Sequence, residues 1–271
     1  MKYYAILAFI FLISNSFFTH ATEQEPDRLI IKGDTMLLHA LPFDEWRNLN
    51  NYDKPLFPDS LAGFSTGCWR GYVAYWEIID DQLYLTNIYN EMKNVKANLH
   101  IIFGKKFKNG RVKADWFSDT VTAFRGKLLY SDHAGFSSVF EHEYEYVFDN
   151  GILHSTAYFD NSMSKNTPMY MGDPLLHKHI DTLINWSALP TIENSGHAGV
   201  YLLANEKGQL DTILHVYGKS EIFREEALRI AKLITRYPVI YRRGKLQKPD
   251  IRLEFFFSAE KQKKYRRDKC F

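Results

Sequence analysis

The strongest constraint on this chain is a succession of aromatic and β-branched runs, each closed by a turn pair, across residues 29–161. Strand side chains alternate between two faces, so such runs need a sheet with a buried side. Tyr72–Ile79 and residues 83–89 flank Asp80-Asp81-Gln82 and read as a hairpin. Asn109-Gly110 separates residues 101–107 from 112–117, and Asn150-Gly151 separates residues 144–148 from 152–159. Asn-Gly is a strong hairpin signal because both central residues accept positive φ. Arg125-Gly126-Lys127 reads as a further turn. An antiparallel meander or barrel-like sheet is expected, without a fixed repeat period. The aromatics, 15% of the chain, then serve sheet packing.

The pattern changes after residue 160. Residues 161–168 are polar and turn-rich, and Gly172-Asp173-Pro174 follows. Residues 175–186 read as a short helix before Pro190. Two strands are expected at residues 200–204 and 210–217, joined by Asn205-Glu206-Lys207-Gly208. Ser220 is placed to cap a helix, with Glu221, Glu225 and Glu226 at its positive dipole end. Phe223, Ala227, Ile230, Ala231 and Ile234 share one helical face, and Pro238 follows. Ile251, Leu253, Phe255 and Phe257 then alternate with Arg252, Glu254 and Phe256, so one strand face is fully apolar. A helix laid over a small antiparallel sheet buries both apolar surfaces.

Composition excludes several classes. A chain 45% hydrophobic and 24% charged is neither disordered nor collagen-like. Two cysteines cannot build a disulfide-dense scaffold. A net charge of +2 argues against a broad nucleic-acid-binding face, so no nucleic-acid partner is expected. Residues 261–271 hold six bases and one acid, Asp268. They read as a solvated basic tail on a slightly acidic body, or as a segment drawn to an anionic surface.

Residues 1–21 read as a signal peptide. Lys2 is the basic start, residues 5–13 are an apolar run, and Thr19 and Ala21 are the small residues before a cleavage point. The run falls short of the ~20 residues of a membrane span. The mature chain is therefore expected to be exported, periplasmic or extracellular, with no membrane span of its own. The division expected is a signal peptide at 1–21, a β-rich domain at 22–162, and a linker with a short helix at 163–189. A second domain follows at 190–260, then the basic tail at 261–271.

The strand, strand, helix, strand order of residues 199–257 resembles the C-terminal domain of the TonB/TolA group of bacterial envelope proteins. The likeness rests on Asn205-Glu206-Lys207-Gly208, Glu226-Ala227-Leu228, the Gly244-Lys245…Pro249 element and the final alternating strand. It covers roughly a quarter of the chain and rests on pattern more than on invariant chemistry. It implies a small β-β-α-β domain that binds an envelope partner by letting an extended segment join its sheet edge. An energy transducer of that group keeps its membrane anchor and a long Pro-rich spacer. This chain has nine prolines, and Tyr237-Pro238 with Tyr241 replaces the usual Trp-x-Pro loop. The likeness thus implies a binding module, not a transducer. The stretch STGCWRGYVAYWEIIDDQLYLTNIY resembles uncharacterised exported proteins of Bacteroidetes-type bacteria and implies little beyond origin.

Gly67-Cys68-Trp69-Arg70-Gly71 is the most distinctive string. A Cys-Trp pair stands beside the nucleophile of papain-like proteases, but a strand follows here where a helix N-terminus would be needed. Cys68 reads instead as a buried small hydrophobe, or as the partner of Cys270 in a disulfide that an oxidising compartment permits. Trp69 and Arg70 are the candidate partner-binding residues, as a stacked surface pair, against a reading as packing. Glu141, His142, Glu143 and Glu145 form a local acidic cluster, a cation site or a solvated sheet face. His177 and His179 lack a third zinc ligand nearby. Asp132-His133 is not assigned to a triad, because nothing fixes the geometry. No phosphate loop, dinucleotide fingerprint or nucleophile elbow occurs, and no cofactor or metal is expected.

The expectation is an α+β protein: an antiparallel β-rich N-terminal domain followed by a β-β-α-β domain of TonB C-terminal type. It is read as an exported, envelope-associated binder. The alternative is a secreted hydrolase with its site near Cys68 or residues 141–145.

Overall fold

The computed structural model describes residues 23–58, 65–130, 135–165 and 174–267. The expected signal peptide, Asp132-His133, Pro168, Gly172-Asp173 and Cys270 lie outside them. The protein is a mixed α+β fold dominated by strands. Its hydrophobic core falls into two clusters, one built from residues 29–148 and one from residues 176–257.

The N-terminal half contributes β1 (Asp27–Ile31), β2 (Asp34–Leu38), β3 (Tyr72–Ile79), β4 (Gln82–Asn90), β5 (Phe107–Lys108), β6 (Arg111–Lys113), β7 (Thr120–Tyr130), β8 (Val139–Asp149) and β9 (Ile152–Asp160). They form a nine-stranded sheet in the order β3-β1-β2-β7-β8-β9-β4-β6-β5. Because β3 also pairs with β4, the sheet closes on itself. The seam between β4 and β9 is held at one residue pair, Gln82 with Ile152. Helix α1 (Pro42–Leu49) supplies Phe43 and Trp46 to the core. The ring is not wholly antiparallel, since β1 and β3 run parallel. Parallel neighbours need a long crossover, and the chain between β2 and β3, which includes α1, provides it.

The turn chemistry of three hairpins is as expected. Asp80 and Asp81 (φ 48° and 60°), Asn109 and Gly110 (52° and 78°), and Asn150 and Gly151 (48° and 73°) are all left-handed. A side chain at Gly151 would also meet the Ala114 carbonyl oxygen at 2.4 Å.

Several local expectations fail, among them the strand expected at residues 112–117, since β6 ends at Lys113. Residues 101–107 are not one strand: α2 (Leu99–Phe103) occupies their start, because Asn98 Oδ1 accepts from the His100 and Ile101 N–H groups at 3.1 and 3.2 Å. Arg125-Gly126-Lys127 does not reverse the chain. It lies within β7, where the register with β8 slips between Arg125 and Leu128. Gly126, at φ +87°, absorbs this irregularity.

The C-terminal half contains α3 (Pro174–Leu183), β10 (Gly196–Ala204), β11 (Leu210–Gly218), α4 (Glu221–Leu233), β12 (Ile240–Arg242), β13 (Lys245–Gln247), β14 (Ile251–Phe257) and α5 (Ala259–Arg267). An antiparallel sheet in the order β11-β10-β14 packs one face on α4. Ala227, Ile230, Ala231 and Ile234 meet Ala198, Val200, Leu202, Leu253 and Phe255 there. Phe223 stacks on Phe257 at 4.3 Å and occupies the space a Gly196 side chain would need. Ser220 sits at the N-cap, but its side chain makes no capping hydrogen bond.

Residues 261–267 are not a frayed tail. They lie in α5, where Tyr265 stacks on Trp186 at 5.9 Å and Gln262 is buried. Gln262 Oε1 accepts from the Ile192 N–H, and Arg266 donates to the carbonyls of Trp186 and Leu189. Basic composition here serves docking as well as solvation, because arginine and glutamine satisfy the carbonyls and N–H groups of an irregular loop.

Candidate functional site

The face of the small sheet turned away from α4 carries a contiguous set of polar and aromatic side chains. Strand alternation and antiparallel register build it. His197 lies opposite Phe256, Gly199 lies between Tyr217 and Glu254, and Tyr201 lies between His215 and Arg252. Glu254 is the hub: it contacts His197 and Arg252, and it accepts from the Tyr217 hydroxyl at 2.7 Å. Arg252 Nε also donates to the Tyr217 oxygen at 2.9 Å. Its guanidinium lies 5.6 Å from the Tyr201 ring and 5.7 Å from the Tyr217 ring. Desolvation, with the Glu254 carboxylate beside it, pushes the Tyr217 hydroxyl up to about 12. His215 and Phe256 are exposed, and Tyr201 and Tyr217 are half-buried. Sequence reasoning found the alternation of β14 but assigned its outward residues no role.

The edges of this sheet differ. Helix α3 packs beside β14, whereas β11 pairs on one side with β10 and ends the sheet. Asp211, Thr212, Leu214 and His215 are exposed along it. Leu214 falls in a register shift, between Ile213 opposite Leu202 and His215 opposite Tyr201.

Trp69 and Arg70 are not brought together as a surface pair. Trp69 is 68% exposed, whereas the Arg70 side chain is 2% exposed. Asp27, the first residue of β1 and fully buried, draws Arg70 inward. Arg70 Nη2 lies 3.2 Å from Asp27 Oδ1 and donates to the Glu25 carbonyl at 2.6 Å. Asp27 also accepts from the Ala74 N–H and the Trp76 indole N–H, each at 3.0 Å. Burial outweighs the attraction of Arg70, so the Asp27 carboxyl is raised to about 6. The sequence signal for this cluster was an aspartate in a buried register of β1, which was missed.

Cys68 is a free thiol, 1% exposed, donating to the Tyr72 carbonyl at 3.3 Å. Burial pushes it up from the usual thiol range. That is the reverse of what a nucleophile needs. Its proposed disulfide partner, Cys270, lies outside the described residues.

Glu143 and Glu145 share a face of β8, as expected, with Glu143 buried, Glu145 half-buried and both met by arginines. Arg243 Nη2 pairs with Glu145 at 2.7 Å, and Arg242 approaches Glu143 at 3.9 Å. Glu141 lies on the same face, near the Lys127 N–H. His177 sits 5.7 Å from the Phe256 ring. No group of three or more metal-ligating side chains occurs among the described residues.

A cleft of about 330 Å³ is lined by Glu25, Arg28, Leu37, His39 and Phe140 among others. His39 lies against the rings of Phe124, Phe136 and Phe140, and its Nδ1 is 3.2 Å from the Phe136 carbonyl. Desolvation lowers it to about 4. No helix among the described residues is long and apolar enough to cross a membrane.

No family model matches the chain. Comparison with curated proteins and with solved structures likewise finds no match.

Proposed function

We propose that this is an exported, envelope-associated, non-enzymatic binding protein. Its C-terminal module, of TonB C-terminal type, takes an extended segment of an envelope protein onto the outer edge of β11. The observation that carries this reading is the edge itself. β11 ends its sheet and exposes Asp211, Thr212, Leu214 and His215. Such an edge presents a row of N–H and C=O groups to a second strand. The cleavable character of residues 1–21 and the lack of a Pro-rich spacer speak for a binder and not a transducer. A secreted hydrolase centred on Cys68 has weaker support, since that thiol is buried and bonded to a backbone carbonyl.

The test is site-specific photo-crosslinking in the envelope of the producing cell. A crosslinker at Thr212 is expected to give one discrete adduct, and the same probe on the exposed Lys263 of α5 is not. Leu214→Pro removes an N–H at the register shift, which limits the cost to pairing with β10. It is expected to abolish the adduct without changing the melting temperature. Equal adducts from both positions, or an adduct indifferent to Leu214→Pro, would count against edge pairing. A native protein retaining Met1 by mass spectrometry would end the export claim.

A further inference from the structure

The solvent face of the small sheet is a second surface of the same module, geometrically separate from the β11 edge. Scattered exposed apolar residues need no explanation, but a contiguous aromatic face does. The Tyr217 ring lies 5.7 Å from Tyr201, 6.0 Å from His215 and 5.6 Å from His197. His197 in turn lies 5.1 Å from Phe256. The rings therefore run across the sheet from Phe256 through His197 and Tyr217 to Tyr201, tilted 38°, 56° and 36° to one another.

The surface is held in place before any ligand arrives. Gly199 leaves room for Tyr217 to lie across the sheet, because a Cβ there would sit 2.3 Å from Tyr217 Cζ. The Tyr217 hydroxyl is fixed between Glu254 and Arg252. Rings fixed this way lose little freedom on binding.

The charges decide which ligand suits the face. Arg252 is paired with Glu254, so the two cancel at its centre. A polyanion such as single-stranded nucleic acid also stacks on aromatics, but it draws its affinity from unbalanced positive charge. A pyranose needs no such charge. Its C–H faces pack on flat rings, and its hydroxyls reach paired donors and acceptors at the rim. We propose that this face binds a neutral β-1,4-linked polysaccharide, its sugars packing along the row Phe256, His197, Tyr217 and Tyr201. An extended β-1,4 chain is a ribbon that twists to follow tilted rings, with its hydroxyls at the edges toward Arg252, Glu254 and His197.

The test is isothermal titration of the full-length chain with cellohexaose and with chitohexaose, with maltohexaose as the coiled control. Saturable heat is expected with at least one β-1,4 hexasaccharide and not with maltohexaose. Tyr201→Ala and Phe256→Ala are each expected to weaken it by about tenfold. Circular dichroism melting of both variants is expected to match the parent. Leu214→Pro is expected to leave sugar binding intact, so failure of edge pairing and failure of this proposal are distinguishable. Absence of heat with both β-1,4 probes would overturn the proposal, as would binding indifferent to both ring variants. So would tighter binding of oligothymidylate, or sedimentation showing that Tyr201→Ala converts a dimer to a monomer, the face then belonging to a second copy.

Discussion

The Glu143 carboxylate accepts a hydrogen bond from the backbone N–H of Arg243 at 3.0 Å, across 100 residues of chain. Glu143 lies in β8 and is 1% exposed, while Arg243 forms the β12–β13 turn. The same oxygen accepts from Asn161 Nδ2 at 2.9 Å, and Asn161 Oδ1 accepts from the Gly244 N–H at 3.0 Å. Lys165 and Val239 exchange backbone hydrogen bonds alongside. The β12–β13 hairpin is thus how the second half of the chain grips the first.

Removing that carboxylate leaves buried N–H donors without a partner. Glu143→Ala is expected to cost about 2–3 kcal/mol, and Glu143→Gln less, because one acceptor oxygen remains. The readout is chemical denaturation monitored by tryptophan fluorescence. Glu143→Ala is also expected to split a single transition into two, one for each core. An unchanged midpoint would show that the contact contributes nothing to joining the halves.

Asp27 and His39 predict opposing pH dependences. The Asp27 carboxyl is raised from 3.8 to about 6, so the folded state holds its proton longer than the unfolded chain. Its contribution is fully present below pH 3.8 and is lost as pH rises through 6. His39 is lowered from 6.5 to about 4, so the unfolded chain binds the proton first. Its contribution is present above pH 6.5 and is lost as pH falls through 4. Each amounts to at most ~3 kcal/mol, and over this window they offset one another. His39→Asn is therefore expected to lose stability, relative to the parent, as pH climbs from 4 to 6. Asp27→Asn is expected to do the reverse, from a lower baseline because the Arg70 guanidinium loses its carboxylate. Urea midpoints of the three proteins across that range check the signs. Parallel curves would refute both assignments.

Cys68 is expected to resist alkylation. A buried thiol raised above its usual range is seldom present as thiolate. In a Cys270→Ser variant, which removes the other thiol, iodoacetamide should label Cys68 only on denaturation. Rapid native labelling would place this cysteine at an accessible site and revive the nucleophile reading.

Much of the secondary structure was legible from local chemistry. Period-two alternation marked β3, β4 and β14, a 3.6-residue apolar stripe marked α4, and Asn-Gly or Asp-Asp pairs marked three hairpins. These are short-range effects, decided by φ preferences and by which side of an element is apolar. Where two local signals competed, the reading failed. Asn98 capped a helix inside an apolar run, and Gly126 served a bulge and not a turn.

What the sequence by itself determined was the mixed α+β class of the fold and several of its elements, with the apolar faces of α4 and β14. What only the tertiary structure decided was partnership. The parallel contact of β1 with β3, the burial of Arg70 by Asp27 and the neutralising of Glu143 and Glu145 by the β12–β13 arginines all join residues distant in the chain. The aromatic face around Glu254 arises the same way, from the register of three strands. A charge or ring acquires its role from what it meets after the chain has folded, and local preference carries no record of that meeting.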